Sequence, residues 1–435
     1  MKRTTLAIAG ACAVLAIDLT GQASAQRINA ITAPTKTGDE TLGMSRERLA
    51  RISGVMKDEI AKGTFPGAVT IVARRGQIVH FESHGFIDAA KSKPIAKDSL
   101  FRLASMTKPI VSAAAMMLVE RGALKLNDPI STWLTELKDM KVETQVTDKD
   151  GKVTVEDVPL ARPIMVHDLL RHTAGLVYSG STKSARIKEA YEKANIEARE
   201  VDISGDDMLK ALGKIPLAHQ PGTFWEYSVA VDVLGLLLER VTKQPLDQLL
   251  SEMLLTPLGM KDTAFWVEPA KVARIAEALD ADTQKAPMLK SYRILNKPDG
   301  RNYLKGGAGL VGTAEDYLKF AQMIVNGGEY QGKRYLAKKT VEFMLSEHTA
   351  GMGGTTIATT GPGYGFGLGF ATRLQDGVAW VPGSKGDAMW AGAWGTSFWV
   401  DPKEGLVGIL MSQGPSTRVH SRMLFKNLVY GAMVR

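Results

Sequence analysis

Apolar positions recur with a period near 3.6 in several separate stretches of the chain. The first follows Ser45, a good N-cap, and its stripe of Leu49, Ile52, Val55, Met56 and Ile60 predicts a helix ending at Gly63. Helical spacing returns over Ser105–Gly122, Met208–Leu212, Ser228–Thr242, Leu246–Leu255 and, behind the cap residue Thr313, Ala314–Val325. A closing helix is expected with Val419, Met423, Leu424, Leu428 and Met433 as its apolar face. Strand-like runs lie at the two ends of the chain. Ala68–Ala73 and Gln77–Gly85 flank the turn Arg74-Arg75-Gly76, and Phe366–Thr372, Val378–Val381, Thr396–Val400 and Leu406–Ser412 read as strands. Asp401–Gly405 is the turn between the last two. Lys141–Asp157 alternates around Asp150-Gly151 and predicts an exposed hairpin.

Strands at both ends with helices between them predict an α/β (α+β) fold, one sheet assembled from both termini with a mainly helical insertion. The expected division is 26–104 with 300–435 as the sheet domain and 105–299 as the helical insertion. A length of 435 residues suits one large or two interleaved domains.

The start of the chain stands apart. Lys2 and Arg3 precede the apolar run Leu6–Ile17, and Ala23-Ser24-Ala25 offers a small-residue cleavage site before Gln26, the order of a secretory signal peptide. The expected location is therefore periplasmic or secreted, after cleavage near Ala25. The one cysteine, Cys12, lies within that segment, so residues 26–435 hold none, which excludes disulfides, cysteine catalysis and thiolate zinc sites there. No later stretch approaches the ~20 apolar residues of a spanning helix, and no membrane partner is expected. The net charge of +8 comes from scattered residues without a Lys/Arg-rich tract, which argues against a nucleic-acid partner.

Three segments carry candidate chemistry. Ser105-Met106-Thr107-Lys108 opens a predicted helix, and Ser105 is the only serine followed by Lys three positions on. A hydroxyl at a helix start gains from the positive end of the dipole, and the +3 spacing brings an amine to the same face. Pro109 fits a first helical turn, whose amides lack intrahelical partners. On its own such a pair is equally a capping serine beside a solvated lysine. Tyr227, after the turn at Pro221-Gly222 and before the apolar run Val229–Leu238, can shuttle a proton beside a lysine or simply be a core tyrosine. In Trp390-Ala391-Gly392-Ala393-Trp394-Gly395, small residues between aromatics allow close approach to the backbone, by a ligand or by tight sheet packing.

Together these segments resemble the serine beta-lactamase and penicillin-binding superfamily, specifically its class C beta-lactamase-like branch. Leu169–Leu176 (LLRHTAGL), Pro257–Thr263 (PLGMKDT) and Gly307–Asp316 (GAGLVGTAED) are similar to that branch's loop signatures, in its order. The resemblance spans about Ser45–Arg435 and implies the beta-lactamase/transpeptidase-like fold. It also implies Ser105 as nucleophile, Lys108 and Tyr227 as proton-transfer partners, and an oxyanion hole from the amides of Ser105 and Ala393. Either Lys108 or Tyr227 can serve as base in acylation.

The chain departs from the branch's beta-lactamases at two places. Val229 stands where their Tyr-x-Asn motif has Asn, and Trp390-Ala391-Gly392 stands where an edge strand carries Lys-Thr-Gly. Loss of an amide and a cation removes charge-assisted bonds to a substrate carboxylate and puts apolar surface in their place. Trp390, Ala391, Gly392 and Val229 are therefore the expected substrate-binding residues, and the pattern resembles the family VIII carboxylesterases. The expected activity is hydrolysis of short-chain carboxylic esters, a small-molecule substrate, with no cofactor and no metal. The alternatives are a class C-type beta-lactamase, a D-amino-acid peptidase, a transesterase with the same residues, and a non-catalytic binding protein on the same fold. Gly327–Arg334 approximates a phosphate loop but follows a helix and ends in Arg. His167 and His172 are five apart, off metal-ligand spacing on a helix.

Overall fold

A computed structural model describes residues 40–197, 203–285 and 303–435; the segment expected to be a signal peptide lies outside the described residues. In chain order the principal elements are helix α1 (Arg46–Ala61), strands β1 (Gly67–Arg74) and β2 (Gln77–Gly85), helix α2 (Thr107–Glu120), and the hairpin β3 (Lys141–Thr147) and β4 (Val153–Pro159). Then follow α3 (Ala230–Thr242), α4 (Ala314–Val325), β5 (Tyr364–Phe366), β6 (Ala371–Arg373), β7 (Ala388–Ala391), β8 (Ser397–Asp401), β9 (Leu406–Ser412) and α5 (Arg418–Gly431). Local chemistry explains several boundaries. The Ser45 hydroxyl accepts from the Arg48 amide at the start of α1, and the Thr313 hydroxyl accepts from the Asp316 amide at the start of α4.

A seven-stranded antiparallel sheet in the order β5-β6-β7-β8-β9-β1-β2 joins the two ends of the chain. β9 and β1 run together over seven pairs, from Leu406↔Arg74 to Ser412↔Ala68. Both faces are covered, which is why β1, β8 and β9 are buried along their whole length. Consecutive side chains of a strand point to opposite faces. Phe398 accordingly meets Tyr317 of α4 with ring centroids 4.8 Å apart, while Trp399 meets Phe425 of α5 at 5.5 Å.

Four expectations change. Phe366–Thr372 is not one strand, because Gly367–Phe370 turns the chain back between β5 and β6, with the Gly367 amide bonded to the Phe370 carbonyl. Val378–Val381 is a surface loop bounded by Gly377 and Pro382, with Trp380 66% exposed. The buried side of α5 is Ser421, Phe425, Lys426 and Val429, whereas Val419 is exposed. The strand carrying Trp390 is interior to the sheet, not its edge. Its neighbour β6 pairs only with Ala388 and Met389, however, so Trp390–Gly392 runs on past that ladder. The Leu246–Leu255 helix exists but loosens into a π-turn at Ser251–Leu255. Among the described residues no helix is long and apolar enough to cross a membrane.

Candidate active site

Ser105 lies in a 3₁₀ turn, Ala104–Met106, that runs directly into α2. Ala104 before it has φ of 46°, a left-handed conformation costing a non-glycine residue about 1–2 kcal/mol. Distant segments hold it. The Leu103 amide bonds the Leu310 carbonyl at 3.0 Å, and the Leu310 amide bonds the Thr107 hydroxyl at 3.1 Å. The Tyr317 hydroxyl donates to the Met106 carbonyl at 2.9 Å. The nucleophile candidate thus sits on an over-determined turn rather than a free loop.

Lys108, on the first turn of α2, is fully buried. Its Nζ lies 3.3 Å from Ser105 Oγ, 3.1 Å from the Tyr178 hydroxyl and 2.8 Å from the Gly307 carbonyl. Burial pulls its pKa down to about 7, against the opposing pull of Asp232. Burial thus lets the amine reach its neutral form near neutral pH. A neutral amine has two N–H groups and one lone pair. With the N–H groups given to Gly307 and Tyr178, the lone pair is left for the Ser105 hydroxyl.

Tyr227 lies across this amine, with Nζ 4.6 Å from its ring centroid. Its hydroxyl is buried and has no hydrogen-bond partner among the described residues. Burial raises its pKa strongly, while Ser105 and Trp390 beside the oxygen act in the opposite direction. The phenol is thus held protonated. The geometry brings Ser105 and Lys108 into hydrogen-bond distance; Tyr227 is adjacent but not bonded.

Trp390 is 1% exposed, its ring 5.2 Å from both Tyr227 and Phe366, so the indole forms the wall behind the phenol. Val229, the N-cap of α3, is also buried, whereas Ala391 is partly exposed. Gly392 lies against the turn that carries Ser105. A Cβ there would stand 2.4 Å from the Leu103 carbonyl, and the Thr396 hydroxyl bonds the same carbonyl at 3.2 Å. Only glycine permits that approach. Ala393 packs with Ala104 and Trp394, which brings it beside Ser105.

Four residues of this cluster were given no part in the chemistry from the sequence. Tyr178 follows the LLRHTAGL loop by two positions, and His172 lies within it. The His172 ring is 4.8 Å from that of Tyr227, and its charged form is suppressed by burial first and by Lys108 second. Gly307 opens the GAGLVGT segment. Asp232 is the one charged residue in the apolar run Ala230–Leu238 of α3, 3% exposed. A charge in such a run is a legible signal, because a buried carboxylate needs partners. His167 instead pairs with His348 at 2.9 Å.

The chain matches the Beta-lactamase family over residues 52–429. It is similar to an uncharacterized protein of Mycobacterium tuberculosis, 34% identical over 81% of this chain and 86% of that protein. It is also similar to Esterase EstB of Burkholderia gladioli, 32% identical over 83% of this chain and 90% of the esterase. Among solved structures it resembles EstCE1, described as a hydrolase with promiscuous acyltransferase activity. There the TM-score is 0.72 with 27% identity, covering 89% of this chain and 99% of EstCE1.

Proposed function

The chain belongs to the beta-lactamase family, and we propose that within it the protein is a secreted or periplasmic serine esterase acting on small neutral carboxylic esters. The observation that carries this reading is the buried Lys108 amine, lowered to about pKa 7 and 3.3 Å from Ser105 Oγ. The similarity to Esterase EstB supports the same reaction class.

In this mechanism the neutral Lys108 amine takes the Ser105 proton as Oγ attacks the ester carbonyl. The amides of Ser105 and Ala393 receive the negative charge on the carbonyl oxygen. Collapse expels the alkoxide, which leaves as alcohol with a proton from the Lys108–Tyr227 pair. Water, activated by the same pair, then cleaves the acyl-enzyme and restores Ser105. An alcohol in place of water would give acyl transfer with the same residues. Trp390 at the phenol supplies no cation for a substrate carboxylate, which favours neutral esters over beta-lactams. A fluorophosphonate probe followed by peptide mapping tests the assignment. Labelling is expected at Ser105, with the Ser105→Ala variant folded and inactive; labelling of another serine would refute it.

A further inference from the structure

The contacts of Lys108 continue into the protein beyond the groups that exchange protons. The Gly307 carbonyl, 2.8 Å from Nζ, is the shortest of them. The amide of the same residue donates to Asp232 Oδ1 at 3.1 Å. A Cβ at residue 307 would stand 2.5 Å from Asp232 Oδ2, so only glycine lets the carboxylate reach this amide. Asp232 itself is buried on α3, five residues after Tyr227. One helix therefore presents a carboxylate to the peptide that fixes the amine, and the turn leading into that helix carries the phenol.

We propose that Asp232 is a positioning residue for the acid–base pair: it clamps the Gly307 peptide so that its carbonyl orients the Lys108 amine toward Ser105, and it places a buried negative charge behind that peptide. The proposal rests on Lys108 acting in proton transfer, as above. With Gly307 O holding one N–H of the amine, rotation about the last side-chain bond is restricted and the lone pair stays on the Ser105 side. The charge has a second effect. A carboxylate nearby favours the ammonium, so Asp232 keeps the amine from losing its proton too readily in so dry a site, and favours return of that proton to the leaving group. The other titratable groups around the amine are Tyr178, Tyr227, whose phenol is held protonated by burial, and His172, whose charged form is suppressed by burial. Around Asp232 stand Glu197, whose pKa is raised by burial first and by Asp232 in part, and Lys305, which opposes that rise.

Substitution separates the two effects, measured on the full chain with p-nitrophenyl butyrate across pH 5–10. Asp232→Asn keeps an oxygen for the Gly307 amide and removes the charge. Its acid limb should move to lower pH by roughly half a unit or more, with kcat at pH 8 lowered less than in the alanine variant. Asp232→Ala removes both, and kcat should fall about tenfold with KM within twofold of wild type, as expected when the amine loses its orientation as well as the nearby charge. An acid limb unmoved in folded Asp232→Asn, with Lys108→Ala inactive, overturns this inference and leaves the esterase reading intact. Undiminished turnover in Lys108→Ala overturns both. The Asn variant is nearly isosteric and keeps the question answerable even where the Ala variant does not fold.

Discussion

Replacing Lys108 by methionine should make the protein inactive and more stable at once. The side chains have similar length, so the core stays filled. The lysine's pKa is about 7 in the folded protein against an ordinary 10.5, a gap of about 3.5 units at about 1.4 kcal/mol each, or roughly 5 kcal/mol. A base with a depressed folded pKa binds fewer protons folded than unfolded. Its full stability is present above about pH 10.5 and is lost as pH falls toward 7, so below pH 7 the whole deficit applies. Methionine removes this deficit. It also removes the amine's hydrogen bonds with Gly307 O, Tyr178 and Ser105. The two hydroxyls can reorient, and the orphaned carbonyl costs about 1–3 kcal/mol. The net expectation is about 2–4 kcal/mol of added stability near pH 7. Urea unfolding of both proteins at pH 7 and pH 10.5 measures it, and the advantage should shrink or reverse at the higher pH, where the wild-type amine is neutral in the folded protein and half neutral in the unfolded chain. A variant weaker than wild type at pH 7, or a difference independent of pH, would refute the claim that the buried amine is carried at a net cost.

Three further outcomes are expected. Tyr227→Phe should lower kcat by at least ~10²-fold, the usual scale for a positioned acid–base group, and combined with Lys108→Ala it should be little worse than the worse single variant; multiplicative losses would show independent action. A butyrate ester should be turned over with a kcat/KM at least ~10-fold above that of a cephalosporin, since the uncompensated lactam carboxylate costs about 1–3 kcal/mol, and parity between the two would mean that Trp390 has been misread. Asp168 is fully buried and accepts from Arg162 at 2.6 Å, from Arg171 at 3.2 Å and from the Thr173 hydroxyl at 2.9 Å. Burial pushes its pKa up, but these partners outweigh burial and hold it below the ordinary value. Asp168→Asn should cost roughly 3 kcal/mol near neutrality, and because the contribution is present above the ordinary carboxylate pKa and lost as pH falls below it, the variant and wild type should converge in acid; equal unfolding midpoints at pH 7 would exclude this role.

Much of this protein is legible from local pattern. The Ser45 cap and the period-3.6 stripe place α1, the β-branched runs around Arg74–Gly76 place the β1–β2 hairpin, and the alternation around Asp150-Gly151 places β3–β4. These depend on neighbours a few residues apart, where backbone sterics and side-chain period act directly. The pair Ser105 and Lys108 is legible for the same reason, since one turn of helix sets its spacing.

Where the deciding contacts are distant, pattern alone misassigns. The apolar count of α5 favoured Val419 and Met423, but the helix turns Phe425 and Lys426 inward because Trp399 and the buried Asp387, bonded to Lys426 at 3.1 Å, wait there. Glycines at 367 and 369 outweigh the strand propensity around them and fold one expected strand into two. Sequence by itself determined which residue types are the candidates for the chemistry and which local elements hold them. Tertiary structure alone decided that Tyr178, Gly307 and Asp232 would surround Lys108. The physical reason is that a lysine's proton affinity is set by what surrounds it in space, and here 70, 199 and 124 residues of chain separate the amine from those three groups.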